Sequence, residues 1–168
     1  MPRWIKAYVR IVEAVNYRIG RFAMYLLFVL MAVMMWSSFA RTALAPAIWT
    51  DEMGQFLLLG YFMLGGAYSL QMGSAVRMDL FYSRWSDRTR ALVDAVTILA
   101  LIFYLVVLLY GGIESTAYAL EYGERRRGFW RPYMAPIKIV MSVGIVMMIL
   151  QCTAFFFRDI AKLRGEDI

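Results

Sequence analysis

Phe22–Ala40 reads FAMYLLFVLMAVMMWSSFA, 19 residues without a charge between Arg21 and Arg41. One helix needs roughly 20 such residues, at about 1.5 Å each, to cross the hydrocarbon core of a bilayer. Three more runs follow: Met53–Val76 with 24 residues, Ala95–Ile113 with 19 and Ile139–Phe157 with 19. Glu52 and Arg77, Asp94 and Glu114, and Lys138 and Arg158 close them. In hydrocarbon every backbone amide must be paired within the protein, and a helix does this inside one segment. A membrane barrel would need short strands of alternating polarity, which the chain lacks. The expected fold is an all-α integral membrane protein with four transmembrane helices, at about residues 22–41, 53–76, 94–116 and 136–158. They form a single membrane domain over residues 1–168, with no room for a soluble one.

Composition agrees. Of the 168 residues, 62% are hydrophobic and the mean hydropathy is +0.59, more apolar than a water-soluble chain of this size can bury. There is no histidine and one cysteine, Cys152. The commonest general base, zinc ligand and haem ligand are therefore missing, as are disulfides and CxxC pairs. Cys152 sits in an apolar run and reads as a small core residue. The net charge of +6 comes from clusters flanking the apolar runs, which suits topology and headgroup contact better than nucleic acid. No phosphate-cradling glycine loop and no serine–lysine or serine–histidine pair occurs, so the chain is read as a non-enzyme without cofactor or metal.

The first apolar run exceeds a signal-peptide core, so Ala43-Leu44-Ala45 is expected to remain uncleaved. Before it, Trp4, Tyr8, Ile11, Val12, Val15 and Ile19 recur at helical spacing opposite Lys6, Arg10, Glu13, Tyr17 and Arg21. That pattern predicts an amphipathic helix over about residues 3–20, lying in the headgroup plane. A solvated, partly helical leader is the alternative. Lysine and arginine counts give twelve on the side of the leader, second loop and tail, and six on the other. Both termini are therefore expected in the cytoplasm. Arg125-Arg126-Arg127 runs against this trend by facing outward, partly offset by Glu114, Glu121 and Glu124.

No carboxylate or arginine lies near the centre of any span, which argues against a self-sufficient ion-coupled transporter. Gly65, Ser69 and Gly73 form a small-residue stripe on the second helix, and Gly111, Ser115 and Ala119 one on the third. Each suits either a partner interface or packing inside the bundle. Trp49, Asp51 and Glu52 lead into the second helix, where Thr50 or Asp51 is expected to cap it and the acids suit its dipole. Arg77 and Asp79 follow its inner end, as a solvated pair or as docking residues. Arg125, Arg126, Arg127, Phe129, Trp130, Arg131 and Tyr133 make an aromatic-basic outer loop before Pro136, suited to interfacial anchoring or to docking an extracytoplasmic protein.

Three of these elements in this order carry a family resemblance. They are Trp49-Thr50-Asp51-Glu52 before a glycine-containing helix, Gly73-Ser74-Ala75-Val76-Arg77-Met78-Asp79-Leu80, and Phe129-Trp130-Arg131-Pro132-Tyr133-Met134-Ala135-Pro136 before a last helix containing Gln151. Over nearly its whole length the chain resembles the small membrane subunit, DctQ-like, of tripartite ATP-independent periplasmic (TRAP) transporters. Ala75 departs from the family, which often has histidine there, so no imidazole role is carried over; Asp51-Glu52 stands where two glutamates are common. The resemblance implies an inner-membrane subunit of a three-part importer. A periplasmic substrate-binding protein captures an organic acid, such as an oxo- or hydroxy-acid. A large membrane subunit carries it on a sodium gradient, and the small subunit steadies that large subunit and helps receive the binding protein. Sodium coupling would then lie in the large subunit, not in this chain. The partner interface implied is Trp49, Asp51, Glu52, Gly65, Ser69, Gly73, Arg77 and Asp79, and the periplasmic docking loop Arg125, Arg126, Arg127, Trp130 and Arg131. The rivals are an independent homo-oligomeric transporter, a membrane enzyme and an assembly subunit of another membrane complex.

Overall fold

The structure is a computed structural model that describes residues 3–43, 45, 47–72, 87–128 and 130–163. Among these it contains four helices: α1 (Arg3–Ala43), α2 (Trp49–Gln71), α3 (Asp87–Glu121) and α4 (Ala135–Leu163). All four are long and apolar enough to cross a membrane. No strand forms among the described residues; a single isolated bridge joins Arg125 and Tyr133.

The leader differs from expectation. It is not a separate element: α1 runs unbroken for 41 residues, about 60 Å at the usual rise and twice the hydrocarbon thickness. No proline or cap interrupts it. Its lone interior glycine, Gly20, faces α2: an added Cβ would lie 2.3 Å from that of Tyr68. The buried stripe is also rotated from the expected one. Ile5, Val9, Val12 and Asn16 point inward, whereas Trp4 is 65% and Ile11 63% exposed. The inward stripe packs on Ala154 and Phe157 of α4. Hydropathy alone reports that a face is apolar; the small Ala154 and Ala161, both buried, decide which face meets protein.

The leader crosses α4 rather than running beside it. Tyr8 and Asn16 are eight residues apart, about 12 Å along α1. Their partners Thr153 and Gln151 are only two residues apart on α4. Beyond the crossing, α1 and α2 pair antiparallel, with Met34 against Gly54 and Leu26 against Gly60. Parallel to α2 runs α4, so close at Gly144 that a Cβ there would lie 2.8 Å from the Met63 carbonyl oxygen. Glycine is the residue that permits such backbone approach. The third helix packs chiefly on α4. The result is two helical hairpins, α1–α2 and α3–α4, joined through α2 and α4. Leu105, Ile145 and Cys152 centre the α3–α4 core.

A second correction concerns the start of α2. Neither Thr50 nor Asp51 caps it, because the helix begins earlier, at Trp49, with Ile48 in the cap position and no side-chain cap bond. Thr50 is instead fully buried. It donates to the Ala47 carbonyl at 2.7 Å and shares a hydrogen bond with Ser37 at 2.9 Å, tying α2 to α1. Asp51 and Glu52 do lie in the first turn, where the helix dipole favours them.

Candidate functional site

The loop between α3 and α4 is an ordered hairpin. The Arg126 amide donates to the Pro132 carbonyl at 3.1 Å and the Met134 amide to the Glu124 carbonyl at 2.9 Å. Gly123 turns the chain with φ 58, and Arg131 holds φ 49 near the tip, a conformation uncommon for a residue with a side chain. The base is pinned by charge: Lys138 pairs with Glu124 and donates to the Ser115 carbonyl at 3.3 Å. The Arg125 guanidinium lies 4.3 Å from the Tyr133 ring centroid and donates to the Tyr133 hydroxyl.

The arginine run therefore divides. Arg125 is occupied in holding the hairpin together and Arg126 is half-buried, while Arg127, Trp130 and Arg131 at the tip are exposed. Among the described residues these tip arginines have no ion-pair partner.

The tip is seated on α2. Glu52 points at Gly128, and a Cβ at Gly128 would lie 2.0 Å from Glu52 Oε1, so a larger residue there would have to displace the carboxylate. Glu52 Oε2 is buried and has no hydrogen-bond partner among the described residues. Two clusters 76 residues apart in sequence thus meet at one end of the molecule. Beside them, the Arg41 guanidinium reaches both carboxylate oxygens of Asp51, at 2.5 and 2.6 Å, and Trp49 is exposed.

At the other end the polar contacts are buried and neutral at their centre. Asn16 Nδ2 donates to Gln151 Oε1 at 2.6 Å, and both residues are inaccessible. Arg158 pairs with Glu13 at 3.1 Å, and Gln71 donates to the Glu13 carbonyl at 3.2 Å. Of this set the sequence reading named Glu13 on the leader's polar stripe, Arg158 at the close of the last apolar run and Gln151 through the family resemblance, but neither Asn16 nor Gln71. The signal available for Asn16 is its place in the leader, at heptad-like spacing from Ile5, Val9 and Val12; an amide on an apolar stripe marks a hydrogen bond across helices.

The small-residue stripes split as well. On α2, Gly66 faces Met148 of α4, whereas a Cβ at Gly65 would meet no atom within 4 Å. Gly65 and the exposed Ser69 open onto an apolar groove of about 710 Å³ between α1 and α2. On α3, Gly112 packs on Ser142, Gly111 is open, and Ala119 is buried. Gly73, Arg77 and Asp79, with Ala75 between them, lie outside the described residues.

The described contacts are thus structural and interfacial: a seated basic hairpin, two open glycine faces and a buried amide crossing. No curated protein gives a match to the chain. The family model for the DctQ component of tripartite ATP-independent periplasmic transporters matches residues 15–162, spanning the whole of α2 and α3 and most of α1 and α4, and the chain belongs to that family.

Proposed function

We propose that this chain scaffolds the large transport subunit of a TRAP importer in the bacterial inner membrane and helps dock the periplasmic substrate-binding protein. Both termini face the cytoplasm, the 124–134 hairpin faces the periplasm, and the cargo of the whole complex is an organic acid taken up on a sodium gradient. The chain itself holds no cofactor, and sodium coupling belongs to the large subunit. Trp49, Asp51 and Glu52 set the outer register, Gly65 and Ser69 offer a close-packing face, and Gly73, Arg77 and Asp79 contribute at the inner end.

The observation that carries this reading is the seated hairpin. Glu52 against Gly128 seats the tip and Arg125 over Tyr133 holds the hairpin together, and Arg127, Trp130 and Arg131 are left exposed as a basic-aromatic tip. Exposed arginine and tryptophan are the residues that dominate protein interfaces. The outward faces of the helices add a second support. Phe103 on α3 is 72% exposed and Met35 on α1 71%, so each hairpin offers apolar surface to lipid or to another helix.

The test is affinity purification of the tagged chain from membranes in mild detergent. A larger multispanning protein recovered in fixed ratio is the expected result, with sodium-driven uptake by the reconstituted complex as the next measurement. Recovery of the chain alone or as a homo-oligomer would replace this reading with the independent transporter, as would substrate flux from the chain alone in liposomes.

A further inference from the structure

Resting on the docking part of that reading, we propose that Arg131 is the residue that fixes the binding protein on the hairpin, by clasping a carboxylate on that protein's surface. Its backbone is the first sign. Two residues of the hairpin have positive φ, Gly123 at 58° and Arg131 at 49°. Glycine adopts this region without penalty. A residue with a side chain brings its Cβ against the following carbonyl oxygen there, so glycine, asparagine and aspartate are the usual occupants. An arginine at the second position runs against the local chemistry of the turn.

The hairpin does not need that arginine to form. The Arg126 amide donates to the Pro132 carbonyl and the Met134 amide to the Glu124 carbonyl. Arg125 packs over the Tyr133 ring, and Glu52 seats the tip at Gly128. The Arg131 side chain is exposed and makes no hydrogen bond or ion pair among the described residues. Glycine at this position would serve the turn better. Unfavourable backbone conformations of this kind gather at binding sites, where the surrounding structure holds a side chain in one direction.

The side chain selects the partner. A guanidinium is a planar fork that matches a carboxylate through two parallel hydrogen bonds, and this pairing depends on direction. A phospholipid phosphate also accepts from arginine, but a headgroup moves to meet a cation from any side. Lipid therefore gives no reason to hold the backbone at a positive φ, whereas a carboxylate fixed on a folded surface does. Residues 127–131 lie between the Arg126 amide and the Pro132 carbonyl that bond each other. This tip also carries exposed Arg127 and Trp130, a second unpaired cation and a large contact residue of the kind that anchors interfaces. The matching surface is an acidic patch, with Arg127 adding to its attraction and Arg131 setting its register.

The experiment assembles the full chain with the large subunit in nanodiscs of zwitterionic phosphatidylcholine. Binding of the purified, substrate-loaded binding protein is measured at rising salt, and limited proteolysis reads the hairpin. Arg131→Gly is expected to weaken binding at least about tenfold and to flatten its salt dependence. The hairpin should resist protease at least as well as in the parent, because glycine suits the backbone there. Arg131→Lys keeps the charge, loses the fork and is expected to restore only part of the affinity; full restoration would overturn the clasp. Parent-like binding by Arg131→Gly overturns the proposal and leaves docking by the hairpin intact. Faster cleavage of its hairpin overturns it too, by making Arg131 structural. So does a defect that appears only when anionic lipid is added, which would assign the arginine to headgroups. If the parent complex binds no binding protein while holding its large subunit, the docking reading itself falls and takes this inference with it.

Discussion

The two ends of the molecule are held together by opposite means. At the hairpin end the contacts are charged and largely open to solvent: Arg41 and Asp51 are 54% and 60% exposed at their side chains, and Arg125 stacks on an exposed tyrosine. Across the α1–α4 crossing the central contact is the neutral Asn16–Gln151 pair, closed off from everything outside. Exposed ion pairs contribute little and are screened by salt. A buried amide pair is hard to break one partner at a time, because the partner left behind loses its hydrogen bond where water cannot replace it. The contrast suggests a division of labour, with the crossing fixing register and the hairpin end presenting groups to a partner.

Breaking the crossing is the most direct challenge to that contrast. Gln151→Ala is expected to cost about 1–3 kcal/mol by stranding Asn16 and opening space beside it, read as a shift in detergent unfolding. The double variant with Asn16→Ala should show a coupling of about 0.6–1.7 kcal/mol, the range seen between membrane helices. An additive cycle would mean the pair does not set register. Next in size is Gly128→Ala, which pushes a methyl into the Glu52 carboxylate and is expected to cost about 1 kcal/mol, at the low end for an overpacked contact because the carboxylate ends a side chain that can move. Its signature is faster protease cleavage within the hairpin than in the parent chain. Unchanged cleavage would show that Glu52 does not seat the tip.

Smaller still, Arg41→Ala is expected to cost below about 1 kcal/mol, with the difference vanishing in molar salt. A larger, salt-resistant loss would make the hairpin end as structural as the crossing. The smallest stability effect is expected for Gly65→Leu, within about 0.5 kcal/mol because the side chain enters open space, although complex recovery should fall. Gly66→Leu, one residue on, is the control: it meets Met148 and should damage the chain's own fold.

Helix number was legible because lipid allows few solutions. Once Phe22–Ala40 and its three companions are seen, unpaired amides in hydrocarbon force helices. The helix ends were less legible. The α2 helix starts at Trp49 rather than 53, because a tryptophan and two acids belong to its first turn and hydropathy counts only the uncharged part. The leader's continuity with the first span was missed because the change from amphipathic to apolar reads as a boundary, although no residue there breaks a helix. In the candidate site, the basic-aromatic composition of 125–131 was visible, but its seating on Glu52 was not. Nothing in local spacing connects residues 76 positions apart.

By itself the sequence determined that this is a four-span helical membrane protein, and its ordered motifs pointed to the family. Both follow from local chemistry, namely run length, charge and motif order. Only the tertiary structure decided which apolar faces meet protein and which stay open: Ile5 rather than Trp4, Gly66 rather than Gly65, Gly112 rather than Gly111. In water an apolar stripe announces burial. In lipid both faces of a helix are apolar, so the choice passes to shape, to the glycines and alanines that let a particular neighbour come close.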